Sequence, residues 1–303
     1  MNDYWRKIFG WSWSRQRKWD TCKLQSYYSY VGKWEGFKGE AKREKLQWLN
    51  RKSAWYMIQG ELIHEAIESQ INQWAIGRPV SKDAAKSLFS FRLSQVQQSP
   101  RDFLLDEVNG FHIPDESYDE CRQDGLQMLD SFFEIVWPSY SGYKYVKHEE
   151  IDSFEIDGTK VWTRVDLVTQ MADGTIVVTD WKTGKVVNAA KENRQQLLGY
   201  IVWAMQEFRV DESRVRAEVR FLRDPGGRPV LIEAEKKELE EFRDFIVQSA
   251  KTMLAVNSEA DFPASPSERV CQECAFATIC PEGMVHIPAG SRSAPIVAAQ
   301  QTH

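Results

Sequence analysis

Residues 177–187, VVTDWKTGKVV, place an acid and a lysine at the end of an apolar run. Side chains two residues apart in a strand point to the same side, so Asp180 and Lys182 should share one face and Trp181 should take the other. We expect Asp180 at a solvent-facing strand end. Fourteen residues earlier, Asp166 lies in TRVDLV, and the ADGT turn between the two acids predicts a hairpin that sets them side by side.

Two carboxylates this close repel each other unless a cation lies between them. Oxygen ligands from two acids suit Mg²⁺ or Mn²⁺, which keep coordination positions for water and a phosphate. A lysine beside such an ion could position or deprotonate the water. A surface salt bridge between Asp180 and Lys182 is the simpler alternative, and a D-x-K pattern taken alone favours it.

The stretch GELIHEAIESQINQWAIG carries a further candidate ligand. Its apolar residues recur at steps of three and four, which predicts an amphipathic helix over residues 59–77. His64 lies four residues after Gly60 and four before Glu68, so all three share one face. His64 is either a core residue whose ring nitrogens are hydrogen-bonded within the protein or a third metal ligand. Gly60 would allow another backbone segment to approach the helix.

A second predicted helix, AKENRQQLLGYIVWAMQEF, follows the strands and carries Gln196 and Tyr200. The two residues are i, i+4 neighbours, so their side chains lie on one face of the helix. They could grip a phosphate or orient Lys182, and the plainer interpretation is a helix face that makes ordinary polar contacts.

The cysteines are unevenly spread: Cys22, Cys121, Cys271, Cys274 and Cys280. The last three form C-x2-C-x5-C in CQECAFATIC, a clustering that points to convergence on one soft ion or cluster. Three ligands leave a tetrahedral site one short, and Cys22 is the natural fourth. Cys121 lies in a predicted helix and is expected to be a buried thiol without such a role.

The pattern along the chain predicts an α/β protein with a mixed sheet and a helical N-terminal half. Helices are expected over residues 14–31, 38–52, 59–77, 82–99, 115–136, 190–208 and 235–256. Strands are expected over residues 143–156, 159–170 and 175–183, joined by DG turns, with a hairpin of 214–222 and 228–235 around DPGG.

We expect one domain over residues 1–285. It comprises a helical region over residues 1–143, an α/β core over residues 144–256 that includes the 59–77 helix, and a cysteine segment over residues 271–280 completed by Cys22. A disordered tail should follow over residues 286–303.

Composition limits the classes of partner. The chain has 303 residues, a net charge of -5 and 42% apolar residues, and no run approaches the roughly 20 apolar residues of a membrane span. We therefore predict a cytoplasmic protein without a membrane partner. The charge argues against a polycation that coats nucleic acid, but it permits nucleic acid in a local groove. Exposed members of the twelve tryptophans could stack on bases.

Four stretches resemble, in order, the motifs of the RecB-like branch of the PD-(D/E)XK nucleases: GELIHEAIE, RVDLV, DWKTGK and QLLGY. The family motifs are G-x-x-x-H, an aspartate position, D/E-x-K and Q-x-x-x-Y. Cys22 followed by CQECAFATIC is similar to the iron–sulfur staple of that branch, which occurs in CRISPR-associated exonucleases and in AddB-type and helicase-linked nucleases. The resemblance spans residues 14–280.

The resemblance implies a role for each matching position. His64, Asp166, Asp180 and the backbone carbonyl of Trp181 would bind Mg²⁺ or Mn²⁺, and Lys182 would be the catalytic lysine. Gln196 and Tyr200 would complete the site, and either Glu149 or Glu150 could match an acid often present in the family. A [4Fe-4S] cluster would be held by Cys22, Cys271, Cys274 and Cys280.

The resemblance therefore implies a PD-(D/E)XK core and a DNA nuclease, with an exonuclease acting on single strands or DNA ends as the expected form. Helicases, integrases and other repair or recombination proteins are the expected partners, in repair, recombination, phage or CRISPR-type processing. Two alternatives remain. One is a catalytically silent DNA-binding or partner subunit of the same fold, and the other is a zinc-stapled interaction protein without a nucleic-acid role.

Overall fold

The chain is described by a computed structural model over residues 3–291, apart from residues 37, 150, 185–188, 225, 233 and 257. The side chains of residues 3–5 and 189–192 are outside this description as well. The helices are α1 (Asp3–Ile8), α2 (Trp13–Thr21), α3 (Lys23–Tyr30), α4 (Ala41–Leu49), α5 (Trp55–Ala75), α6 (Lys82–Gln98), α7 (Pro100–Phe103), α8 (Leu105–Asn109), α9 (Asp115–Ser131), α10 (Ala189–Phe208), α11 (Lys236–Leu254), α12 (Glu268–Gln272) and α13 (Pro281–Met284). The strands are β1 (Lys144–Lys147), β2 (Ile151–Ile156), β3 (Thr159–Arg164), β4 (Leu167–Gln170), β5 (Ile176–Lys182), β6 (Val215–Phe221) and β7 (Val230–Ile232).

A five-stranded mixed sheet in the order β1-β4-β5-β6-β7 forms the centre of the fold. Strands β5 and β6 run parallel, and the other neighbours in this sheet are antiparallel. Parallel neighbours need a crossover connection, and α10 lies between β5 and β6 in the chain. The predicted α/β class with a mixed sheet and flanking helices is confirmed.

Two apolar cores lie on the two faces of this sheet. On one face, α10 contributes Leu197 and Ile201 to a core shared with α2, α3 and α11. On the other face, Trp181 packs with Leu167 among α5, α6 and α9. Strand β5 is therefore covered on both faces and is buried from Ile176 to Trp181, which explains its long apolar run.

The predicted strands 143–156 and 159–170 are wrong as single strands, because each is divided in two. The outer segments, β1 and β4, pair within the main sheet, whereas the inner segments, β2 and β3, form a separate two-stranded hairpin. The chain bends at Glu149, where φ is +46°, and the Glu149 N–H donates to the carbonyl of Val165 at 2.8 Å. Alternation of apolar and polar residues continues through such a bend, so the pattern does not reveal it.

The turns and most helices follow the predictions. Asp157 and Gly158 both have positive φ, as a two-residue DG hairpin turn requires. Helices α6 and α10 begin and end within one residue of their predicted bounds, and α4, α11 and the hairpin of β6 and β7 lie inside their predicted ranges. The 115–136 helix continues past α9 as a π-helical turn, Phe132–Val136.

Two helix boundaries differ from the sequence prediction. The helix expected over 14–31 is broken at Cys22, whose backbone is extended, into α2 and α3. Helix α5 begins at Trp55 rather than at residue 59, and the Trp55 N–H donates to the carboxylate of Asp106 at 2.6 Å. Because that acceptor lies in α8, far from residue 55 in the sequence, no local capping pattern predicts the start of the helix.

The packed part of the chain extends past the predicted end at residue 285. Ile287 is buried in the core that contains α10. The rest of the predicted tail, residues 292–303, lies outside the described residues. Among the helices that the structure describes, none has the length and apolar character needed to cross a membrane.

A buried ion pair lies in β6, between the central strand β5 and the edge strand β7. Nε of Arg220 is 2.8 Å from Oε1 of Glu218, and both side chains are less than a tenth exposed. The same Glu218 oxygen accepts hydrogen bonds from the hydroxyls of Thr179 and Tyr140, and Arg220 donates to the carbonyl of Gly227. The network ties β6 to β5 and to the segment after α9.

Removing one partner of this pair should destabilise the fold more than removing both. Glu218→Leu should lower the free energy of unfolding by about 3–5 kcal/mol, because it leaves a buried guanidinium without its counter-charge. The double variant Glu218→Leu/Arg220→Met should recover most of that loss. Urea unfolding of the two variants measures the difference, and equal losses would contradict the coupling of the two residues.

Candidate active site

Three side chains from different elements meet beside the sheet: His64, Glu149 and Asp166. His64 comes from α5, Glu149 from the bend after β1 and Asp166 from the residue before β4. Nδ1 of His64 lies 3.7 Å from Oε1 of Glu149 and 3.5 Å from Oδ1 of Asp166. In the described part of the chain, this is the one set of three potential ligand residues with ligand atoms all within 4.8 Å of one another.

The backbone bends that divide the strands place the two acids of this set. The positive φ of Glu149 turns its side chain, which is 6% exposed, toward His64. Oε2 of Glu149 also contacts the guanidinium of Arg164 at 2.6 Å. Oδ2 of Asp166 accepts the backbone N–H of Trp181 at 2.7 Å, which locks it against the end of β5. Of the two acids left open by the sequence, Glu149 lies beside His64 and Asp166, while Glu150 lies outside the described residues.

A second polar group lies on the neighbouring strand. Asp180 and Lys182 share one face of β5, as predicted, with Oδ2 of Asp180 at 2.8 Å from Nζ of Lys182. Oδ1 of Asp180 accepts hydrogen bonds from Nε2 of Gln196 and from the hydroxyl of Tyr200, each at 3.0 Å. Nζ of Lys182 donates to Oε1 of Gln196 at 3.2 Å. The register Leu167↔Thr179 places Asp166 beside Asp180, so the two groups adjoin.

Asp180 is buried, which corrects the expectation of a solvent-facing strand end. Its residue is 3% exposed because α10 covers this face of β5 and contributes Tyr200. Oδ2 of Asp180 accepts no hydrogen bond of good geometry, although the ammonium of Lys182 is nearby. A buried carboxylate oxygen with incomplete hydrogen bonding favours additional positive charge nearby.

The carboxylates dominate the electrostatics of the site. Burial lowers the pKa of His64, but the neighbouring Asp166, Glu149 and Asp180 outweigh it and raise that pKa to about 10. Burial raises the pKa of Asp166, but His64 outweighs it, so the pKa falls below its usual value. The pKa of Asp180 is raised, first by burial and also by Asp166, against the opposing effect of Lys182. The site thus favours added positive charge.

This donor set fits a hard divalent cation. His64 offers a nitrogen, and Glu149, Asp166 and Asp180 offer carboxylate oxygens, which are the ligands that Mg²⁺ and Mn²⁺ accept. Oδ2 of Asp180, which accepts no hydrogen bond of good geometry, adds to this fit. The backbone of Trp181 pairs with Arg220 of β6 and donates its N–H to Asp166, and its indole is buried on the opposite face of the sheet.

Four cysteines converge at a separate place, where Cys22 between α2 and α3 meets the three cysteines that follow residue 270. One cavity is lined by all four: Cys22, Cys271, Cys274 and Cys280. Burial raises the pKa of Cys274 to about 12, and the other three thiols contribute to that rise. Backbone N–H groups of Ser265 and Phe276 point to sulfurs of the set at 3.5 Å. Cys121 lies elsewhere, buried in α9.

Arg223, which follows β6, makes a further connection that no sequence pattern indicates. Its Nε donates to the carbonyl of Thr183 at 2.6 Å, and Nη2 donates to Oε1 of Gln59 at 2.8 Å. It also pairs with Asp124 of α9. A lone arginine in a loop has no local pattern that would mark it. Arg223 holds the residue after Lys182 against α5 and α9.

Gly60 allows a close approach to the same residue from α5. The approaching group was expected to be backbone, whereas a Cβ added at Gly60 would lie 2.7 Å from the side-chain Oγ1 of Thr183. Gly60 is one helical turn before His64, so this contact fixes the distance between α5 and the end of β5.

The chain matches the family model of the PD-(D/E)XK nuclease superfamily over residues 10–281 of its 303 residues. The match covers most of the chain and includes every residue described in this site, so the chain belongs to that superfamily. Its nucleases use divalent metal ions and act on DNA. A search of the curated proteins gave no match.

The contact at Gly60 predicts that the effect of Gly60→Ala on the free energy of unfolding changes sign when Thr183 is replaced by alanine. Gly60→Ala should destabilise the protein by about 1–3 kcal/mol, because the new methyl group overlaps Oγ1 of Thr183. In a Thr183→Ala background the same change should stabilise by up to about 1 kcal/mol, the helix preference of alanine over glycine. Urea unfolding of the four proteins measures both effects, and an equal effect of Gly60→Ala in the two backgrounds would rule out the contact.

Proposed function

We propose that this member of the PD-(D/E)XK nuclease superfamily is a Mg²⁺- or Mn²⁺-dependent deoxyribonuclease of the RecB-like branch. The observation that carries the proposal is the junction of two groups, His64 with its two acids and the buried Asp180 with Lys182. Membership of the superfamily indicates a metal-dependent nuclease. The branch, the strand preference and the residue roles are the parts that we propose.

The ligand set that we propose is His64, Asp166 and Asp180, completed by Glu149 and by the carbonyl of Trp181. A divalent ion bound there supplies Lewis-acid polarisation of the scissile phosphate and lowers the pKa of a water. Both acids are fixed before any ion arrives, Asp166 by the Trp181 N–H and Asp180 by Gln196 and Tyr200. Fixed ligands reduce the reorganisation needed for catalysis.

Lys182 is the residue that we place next to the attacking water. Its side chain is 30% exposed and is positioned by Asp180 and Gln196 at the mouth of the site. From there it can orient the water for attack in line with the leaving 3′-oxygen and stabilise the charge that develops on the phosphate. Cleavage in this direction leaves a 5′-phosphate end.

Helix α10 couples this lysine to the buried acid. The amide of Gln196 donates to Asp180 and accepts from Lys182, so one side chain sets the spacing of both. The Tyr200 hydroxyl both accepts a hydrogen bond, from Gln196 at 2.6 Å, and donates one, to Asp180. Burial and the adjacent Asp180 raise the pKa of Tyr200 well above its usual value, so it remains a neutral donor.

We propose that the four-cysteine cavity holds a [4Fe-4S] cluster. Tetrahedral zinc, with bonds of about 2.3 Å, would bring its sulfurs to about 3.8 Å of one another. Among the described residues, no three of these sulfurs come within 4.8 Å of one another, a spacing that supports a larger group. The cluster would be structural, joining the start of α3 to the segment after residue 270, and would complete a single nuclease domain whose expected range, residues 1–285, extends to the buried Ile287.

The proposed substrate is single-stranded DNA or a DNA end, cut as an exonuclease in repair, recombination, phage or CRISPR-type processing. A helicase or integrase is the partner type that fits this use, in the cytoplasm. The alternative of a catalytically silent subunit is disfavoured by the intact arrangement of Asp166, Asp180 and Lys182. The alternative of an interaction protein without a nucleic-acid role is disfavoured by membership of the nuclease superfamily. End-labelled single- and double-stranded DNA, incubated with Mg²⁺, Mn²⁺ or EDTA, tests the activity directly.

Lys182→Ala and Asp180→Asn should separate turnover from metal binding. Lys182→Ala should reduce the cleavage rate by about 10²-fold or more while Mn²⁺ binding persists, because lysine is not a ligand. Asp180→Asn should lose both, because the amide replaces a ligand oxygen. Calorimetric titration with Mn²⁺ alongside the cleavage assay distinguishes the two. Wild-type cleavage by Asp180→Asn, or equal loss of Mn²⁺ affinity in the two variants, would show that the assignment is wrong.

Cys22→Ser and Cys121→Ser provide a matched test of the cluster. Cys22→Ser should lower the iron content, remove the brown colour and lower the melting temperature, because the cluster joins segments far apart in sequence. Cys274→Ser should act in the same way. Cys121→Ser should keep both iron and colour, since this thiol lies in α9 away from the cavity. Retained colour in Cys22→Ser, or colourless wild-type protein containing zinc, would contradict the proposal.

A further inference from the structure

The β2–β3 hairpin packs on the protein with one face and is open on the other. Phe154 and Val161, which lie directly opposite each other, are buried in the core that contains α10, and both α10 and α11 contact the two strands. Side chains alternate along a strand, so the residues between the buried ones point the other way. We call this second set the outer hairpin face: Ile151, Ser153 and Glu155 of β2, with Lys160, Trp162 and Arg164 of β3.

The outer hairpin face places apolar and cationic side chains next to each other. Ile151 is 70% exposed, and the side chain of Arg164 is 58% exposed. An isolated exposed isoleucine carries little information, but Ile151 lies directly opposite Arg164 in the strand pairing. Trp162, the next residue of β3 on this face, is the diagonal neighbour of Ile151. The face therefore offers an apolar surface with a guanidinium at its edge.

Arg164 connects the outer hairpin face to the metal site. Its Nη2 contacts Oε2 of Glu149 at 2.6 Å, and Oε1 of the same carboxylate lies 3.7 Å from Nδ1 of His64. Within the described residues, Glu149 is the one acid that pairs with Arg164. A guanidinium has five N–H donors in a fork that matches a phosphate, so donors remain beyond the contact with Glu149. A phosphate bound beside the metal ligands would thus meet a solvent-accessible arginine.

A second cation lies at the other end of the face. The ammonium of Lys160 is 4.0 Å from the centre of the Trp162 ring. That ring is held in place from the N-terminal segment, because Gly10 packs against its edge and the Trp162 N–H donates to the carbonyl of Trp11 at 2.7 Å. At about 3.3 Å per residue, Lys160 lies roughly 13 Å along β3 from Arg164. The two cations are therefore separated by the length of a short stretch of nucleotides.

The charge of this face is opposite to that of the chain. The net charge of the protein is -5, so binding of a polyanion has to rely on local positive charge. The outer hairpin face carries Lys160 and Arg164, and its one acid is Glu155, which lies opposite Lys160 at the end far from the metal site. Cations that alternate with apolar side chains match a single DNA strand, which presents both phosphates and unpaired bases. In a duplex the bases are stacked inside, where an apolar surface cannot reach them.

We propose that the outer hairpin face binds single-stranded DNA and directs it to the metal site. Arg164 and Lys160 contact phosphates, and a base packs against Ile151 and Trp162. The inference rests on the proposed nuclease function and deepens it, because it names the substrate as a single strand and assigns that strand to a surface beyond the metal ligands.

Binding measured in EDTA tests this surface without cleavage. The probe is a fluorescein-labelled oligothymidylate, read by anisotropy at a series of salt concentrations. Each cation lost from a single-strand contact should reduce the slope of log K against log[salt] by about 0.7. Lys160→Gln/Arg164→Gln should therefore reduce the slope by about 1.4 and weaken binding at low salt. A slope equal to that of the wild type would overturn the proposal.

Lys144→Gln/Arg216→Gln is the matched control, because it removes one lysine and one arginine charge from the opposite end of the central sheet. Both residues are exposed, and they pair with Gln170 and Val177 at the ends of β4 and β5 remote from the metal ligands. This variant should keep the wild-type slope. A loss of slope equal to that of the hairpin variant would show that binding follows the total charge, and would overturn the assignment to this face.

Ile151 provides the test of strand type. Ile151→Ser should weaken binding of the oligothymidylate by about fivefold or more, because it removes much of an apolar contact. Leu231→Ser changes a residue that is 52% exposed on the edge strand β7 and should bind like wild type. An unlabelled blunt duplex should compete roughly tenfold less well than a single strand of the same length, since its bases are not accessible. Wild-type affinity in Ile151→Ser, or equal competition by the duplex, would overturn the single-strand surface.

Cleavage assays separate this inference from the proposed function. A wild-type protein that binds through the hairpin in EDTA but cuts no DNA with Mg²⁺ or Mn²⁺ would contradict the proposed function alone. A wild-type protein that cuts DNA, while the hairpin variant keeps the wild-type salt slope, would overturn the inference alone.

Discussion

The buried carboxylates of Asp166 and Asp180, adjacent across the β4–β5 pair, are the constraint around which the rest of the molecule is arranged. Burial makes negative charge costly, and two such groups side by side increase the cost. The neighbouring elements supply positive charge or hydrogen-bond donors that partly stabilise the two carboxylates. These are His64 from α5, Lys182 and the Trp181 N–H from β5, and Gln196 and Tyr200 from α10. Oδ2 of Asp180 still accepts no hydrogen bond of good geometry, so a bound cation would stabilise this carboxylate further.

The sequence was informative wherever a local rule applies. The alternation in β5 correctly separated Asp180 and Lys182 from Trp181, and the DG turns correctly placed the hairpins, because side-chain direction and turn geometry depend on residues close in sequence. The i, i+4 spacing correctly paired Gln196 with Tyr200. The family resemblance brought together side chains from α5, β5 and α10 that no periodicity could connect.

The features that the sequence did not predict depend on contacts between distant segments. The bend at Glu149 requires a hydrogen bond to Val165, and the start of α5 requires an acceptor from α8. The burial of Asp180 depends on α10 lying over β5, which is a matter of packing and not of local pattern. Arg223 connects three elements through one guanidinium, and only the folded chain shows that it does so.

The sheet separates two apolar cores, and the proposed active site takes its side chains from both sides of it. His64 belongs to the α5 layer, whereas Gln196 and Tyr200 belong to the α10 layer. The spacing of the two helix layers therefore sets the distances between the side chains of the site. Substitutions deep in either core that alter the layer thickness by a fraction of an ångström should therefore misplace the side chains of the proposed active site while the chain stays folded. In this architecture, a core position that tolerates substitution without loss of folding need not tolerate it without loss of activity.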